Sequence, residues 1–90
     1  MALEHLLERI ENKKVIILGF GKEGVSTYRF IRRHFPKMKL VVADGNENLK
    51  TDEFADDKHV KFIKGKGYDR NLNDYDLIFK SPGISFNMLD

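Results

Sequence analysis

The sequence has no cysteine, which excludes disulfides, zinc–thiolate sites and thiol nucleophiles. It has no apolar run near the ~20 residues of a membrane span. Its start, Met-Ala-Leu-Glu-His, lacks the basic region and long apolar core of a signal peptide. A cytoplasmic location is therefore the default expectation. No charge of one sign dominates: 16 basic and 14 acidic residues are interspersed, for a net charge of +2. That balance gives no reason to expect a nucleic-acid or membrane partner. Internal repeats and low-complexity tracts are absent. His5, His34 and His59 share no metal-ligand spacing, so no metal site is expected and the three read as surface residues. No nucleophile–base pair or catalytic carboxylate pair stands out, so no catalytic residue is expected. Proline occurs only twice, at Pro36 and Pro82.

What remains is 90 residues, 41% hydrophobic and 33% charged, the balance of a folded single domain. A chain of this length buries roughly 60–65% of its unfolded surface. Leu3, Leu6, Leu7 and Ile10 fall at i, i+3, i+4 and i+7, which predicts an amphipathic helix over residues 3–11 that stops at Asn12. Val15 to Leu18 is an unbroken apolar run and reads as a strand covered on both faces. Val25, Tyr28 and Ile31 then keep helical spacing, which predicts a helix over 22–34. Arg32, Arg33 and His34 suit its C-terminal dipole, and Pro36 marks its stop. Residues 39–44, 60–64 and 77–80 read as three further strands. Residues 49–57 are weakly patterned, with room for a short helix, and Tyr68 to Asp74 is a connection with a helical turn.

Short apolar strands alternating with longer connections indicate βαβ units. The fold class is α/β, a Rossmann-like three-layer parallel sheet of about four strands in the order 3-2-1-4. Its topological switch point is the crevice between the first and fourth strands.

Gly19-Phe20-Gly21-Lys22-Glu23-Gly24 sits between the first strand and the second helix. Glycines permit a sharp turn and close backbone approach. The helix N-terminus supplies free N–H groups and partial positive charge to an anion. The alternative is a turn that only packs helix on strand. Asp44 follows Gly24 by 20 residues, at the end of the second strand. An acid there accepts hydrogen bonds from ribose hydroxyls, or else caps the following turn at Gly45 and Asn46. Ser81-Pro82-Gly83 closes the fourth strand and faces the glycine turn across the crevice. Phe20 and Tyr28 read as core or rim. Gly65-Lys66-Gly67 lacks the pattern of a nucleoside-triphosphate loop, and Lys61, Lys64, Lys66 and Arg70 read as a solvated edge.

Three stretches together are more specific: Lys14 to Tyr28 around the glycine turn, Val41 to Asp44, and Asp76 to Ser85 with its Ser-Pro-Gly-Ile. They resemble the N-terminal domain of the Mur ligases, over residues 13–85, and most closely its D-glutamate-adding branch. The resemblance implies a domain that holds the UDP part of UDP-N-acetylmuramoyl-L-alanine. The amides of Lys22 and Glu23 would face the diphosphate, and Asp44, Gly45 and Asn46 the uracil or ribose end. Ser81 and Gly83 would close the opposite wall. It further implies that residues 1–90 are the N-terminal, UDP-substrate-binding part of a longer ligase, inactive alone. ATP, Mg2+ and D-glutamate would be handled by the rest of that chain, and no cofactor by this part. Two other readings stand beside it: a regulatory domain sensing NAD(H) or adenine nucleotides, and a ligand-free structural domain.

Overall fold

The apolar runs pair into one all-parallel sheet. The computed structural model describes residues 2–80. Its elements are α1 (Ala2–Ile10), β1 (Val15–Leu18), α2 (Lys22–His34), β2 (Leu40–Asp44), β3 (Val60–Lys64) and β4 (Leu77–Lys80). Single 3-10 turns, Asp52–Phe54 and Leu72–Asp74, interrupt the connections into β3 and β4. The strand order is β3-β2-β1-β4, as the alternation of strands and connections predicts. Val15 pairs with Leu40 and Leu77, and Leu18 with Ala43 and Lys80.

Side chains alternate between the two faces, and each face builds its own core. On one, Val15, Ile17, Leu40 and Val42 pack with Ile10, Phe20, Tyr28 and Ile31 from the glycine turn and the helices. On the other, Ile16, Leu18 and Ala43 are covered by Tyr68, Leu72 and Tyr75 from the connection before β4. This second cover is a loop layer with one 3-10 turn, thinner than the helical layer. Ile78, which shares that face, stays 38% exposed. All four β1 residues are buried, as a strand without polar alternation requires. Burial of each such Val, Ile or Leu side chain contributes about 1.5–3 kcal/mol.

Helix ends follow local chemistry. Asn12 adopts φ 61°, the left-handed geometry that ends helices and that Asn tolerates. α2 stops where Phe35, at φ −133° and ψ 77°, is held out of the helical region by Pro36. The polar stretch before β3 forms only a single 3-10 turn. It lacks the apolar stripe that would stabilise a longer helix against the cost of nucleation.

Candidate functional site at the glycine turn

The turn between β1 and α2 lies at the carboxyl edge of the central strand. Its three glycines do different work. Gly19 takes φ 88°, a region L-residues avoid. A Cβ on Gly24 would lie 1.9 Å from the Gly19 carbonyl oxygen, so the helix rests directly on the turn's backbone. Gly21 is the N-cap of α2, with φ −79° and ψ −161°. That is extended backbone, and a Cβ there would meet nothing within 4 Å.

The turn is held to β2. The Gly19 N–H donates to the Ala43 carbonyl at 2.7 Å. The Phe20 N–H donates to Asp44 Oδ2 at 2.7 Å. The other Asp44 oxygen accepts the Asn46 N–H at 2.8 Å, which closes the capping turn expected after a strand-end Asp. Asp44 therefore ties the glycine turn to the β2 turn, and each of its oxygens keeps a further lone pair. Asn46 Oδ1 accepts the Asn48 N–H at 2.9 Å. Tyr68 backs Gly45, where a Cβ would come within 3.3 Å of the ring.

Four N–H groups remain, those of Gly21, Lys22, Glu23 and Gly24. None has an acceptor among the described residues; the first intrahelical donor is Val25, to the Gly21 carbonyl at 2.9 Å. The Gly21 cap adds no side-chain hydrogen bond. These groups and the helix dipole form an electropositive edge suited to an anion. The Lys22 and Glu23 side chains are exposed. Phe20 belongs to the scaffold: its N–H is engaged by Asp44, and its ring packs edge-on against Tyr28, Phe54 and Phe62. Ser81, Pro82 and Gly83 lie outside the described residues. Among the described residues no three His, Asp or Glu side chains converge to hold a metal ion.

One polar network has no local signal in the sequence. Arg32, one of the three cations that suit the C-terminal dipole of α2, is half-buried. Its Nε donates to Asp57 Oδ2 at 2.8 Å, and its guanidinium also reaches the carbonyls of Phe35 and Met38. Asp57 further accepts the Tyr28 hydroxyl and the His59 N–H. Burial alone would raise the Asp57 carboxyl; donation by Tyr28 and His59 and the Arg32 charge outweigh it and hold the group below its ordinary value. Burial and then the hydrogen bond to Asp57 push the Tyr28 hydroxyl up. The network fixes the connection before β3 onto α2, and so places Phe54 against Phe20 behind the glycine turn.

Comparison with known proteins follows the same residues. The profile of the family described as "Mur ligase MurD-like, N-terminal domain" matches residues 13–89. The UDP-N-acetylmuramoyl-L-alanine--L-glutamate ligase of Xanthomonas euvesicatoria is 28% identical over 79 residues, covering 88% of this chain and 17% of that protein. The UDP-N-acetylmuramoylalanine--D-glutamate ligase of Acetivibrio thermocellus is 28% identical over 87 residues, covering 96% and 19%. That of Koribacter versatilis is 27% identical over 79 residues, covering 87% and 17%. The chain thus spans less than a fifth of the length of these relatives. No solved structure matches.

Proposed function

Because the chain belongs to the MurD-like N-terminal domain family of the Mur ligases, we propose that it anchors the UDP end of UDP-N-acetylmuramoyl-L-alanine at the Gly19–Gly24 turn. Gly21 carries this reading. Gly19 and Gly24 are glycine because the fold demands it, through a positive φ and a 1.9 Å contact. Nothing in the fold demands glycine at 21. A bare backbone there leaves room for a ligand beside the free amides.

The diphosphate accepts from the amides of Gly21, Lys22 and Glu23, with the helix dipole favouring its charge. The spare lone pairs of Asp44 accept from a ribose hydroxyl or the uracil N–H. Gly45 and Asn46 flank that end; Ser81 and Gly83, outside the described residues, are the proposed contacts on the opposite side. In this reading the residues of this chain bind and orient, and catalyse nothing. A longer ligase, whose other domains hold ATP and Mg2+, activates the muramoyl-alanine carboxylate as an acyl phosphate. The amine of D-glutamate then displaces phosphate in a step of peptidoglycan-precursor synthesis. Some relatives are named for L-glutamate and others for D-glutamate, so L-glutamate as the incoming amine is a second version of that step.

Titration of the 15N-labelled chain with UDP and with UDP-N-acetylmuramoyl-L-alanine tests the reading. The expected result is saturable amide shifts at residues 20–24, 44–46 and 81–84, lost in Gly21→Val while the variant stays folded. Saturation of the same amides by NADH, with no response to UDP, would establish the nucleotide-sensing alternative instead.

A further inference from the structure

We propose that the opposite edge of the sheet is a docking groove for an acidic segment of a partner protein with an apolar anchor. This inference stands apart from the UDP site, because it concerns the amino ends of β1 and β2 rather than their carboxyl ends. A groove of about 990 Å3 lies there, bounded by residues 11–15, 34–39, Val41 and the turn at Asp74 and Tyr75. It opens where both apolar clusters reach the surface. Phe35 and Met38 come from the helical side of the sheet, and Val41 and Tyr75 from the loop-covered side. All four are half-buried.

The rim sets the sign of the partner. Lys13, Lys14, Lys37 and Lys39 border the groove, against the carboxylates of Glu11 and Asp74. These six side chains are exposed, and none is in an ion pair among the described residues. Four unpaired cations around an apolar floor complement acidic side chains flanking an apolar one. The floor-and-rim arrangement decides between a protein segment and a small ligand. Small-molecule sites orient their ligand with a few polar groups aimed into the pocket. The lining side chains that are not exposed are Val15, Phe35, Met38, Val41 and Tyr75, whose one polar group is the Tyr75 hydroxyl. The charge sits on the rim and the apolar surface at the centre, as in a protein–protein interface.

The test uses the 90-residue chain, 15N-labelled, and three synthetic 12-residue peptides. One carries Leu-Phe-Leu flanked by Glu, one the same centre flanked by Lys, and one an Ala-Ala-Ala centre flanked by Glu. The first should give saturable, salt-sensitive shifts at residues 11–15, 34–41 and 74–75. The other two should bind at least fivefold more weakly. Lys37→Glu combined with Lys39→Glu should weaken the first peptide at least fivefold with an unchanged melting temperature, since both side chains are exposed. Unchanged shifts of the double variant at residues 20–24 on adding UDP, where wild type gives them, would show that the two sites are independent. The proposal is overturned if the acidic peptide gives no saturable shifts, if the basic peptide binds as well, or if the shifts fall at residues 19–24. It is equally overturned if decyl sulfate saturates the groove and the acidic peptide does not, which would assign the groove to small anionic amphiphiles.

Discussion

Gly24→Ala places a methyl carbon 1.9 Å from the Gly19 carbonyl oxygen. Neither backbone can yield without displacing α2 from the sheet, so the variant should lose about 3 kcal/mol, or fail to fold. Gly21→Ala meets open space at an ordinary φ and should cost at most about 1 kcal/mol, mostly as a poorer N-cap. Urea melts of the two variants measure the contrast; equal losses would contradict the separate roles of the two glycines. Asp44→Ala leaves the Phe20 N–H without its acceptor and should cost about 1–3 kcal/mol. Asp44→Asn, which keeps a carbonyl oxygen, should recover part of that in the same melts. The glycine spacing and the turn-capping role of Asp44 are readable from adjacent residues. The bond from Phe20 to Asp44 is not, because it joins residues 24 apart and depends on the register of β1 against β2.

At the scale of elements, β1, α2 and the strand order are legible because their signals are local: unbroken apolar runs, a glycine cluster, helical spacing, a proline stop. The connection between β2 and β3 is not. It has no period, and the bonds that hold it span 25 and 29 residues, from Arg32 and Tyr28 to Asp57. That network makes stability depend on pH at both ends. The folded-state carboxyl of Asp57 lies below its ordinary value, so its stabilisation is complete above the usual carboxylate range and is lost as pH falls through the folded value. The Tyr28 hydroxyl lies above 10.0, so its contribution is complete below that pH and is lost as pH rises through the folded value. Asp57→Asn should cost about 2 kcal/mol at neutral pH and flatten the acid limb. Tyr28→Phe should cost about 1 kcal/mol and remove the alkaline limb. Urea melts between pH 2 and pH 11 check both; an unchanged acid limb in Asp57→Asn would show that other carboxylates set it.

For the whole molecule, a domain of this size is expected to have about 5–10 kcal/mol of stability, unevenly distributed. β1 is buried on both faces, whereas β3 and β4 lie at the edges of the sheet among the described residues, with alternate residues exposed or half-buried. Amides of β1 and β2 should exchange with solvent only through global unfolding, and those of β4 through smaller openings. Hydrogen exchange followed by NMR reads this order directly; equal protection of β1 and β4 would contradict it. The central strand is thus the most rigid element and also the one that carries the glycine turn. Its fastenings to Ala43 and Asp44, and the seat of Gly24 on the Gly19 carbonyl, make a glycine-rich loop into a preorganised cradle. In the proposed UDP-binding role, an arriving diphosphate would have little backbone to order. Association should therefore approach the rate of a rigid encounter, and residence time should be set by the contacts themselves rather than by a loop that must reopen.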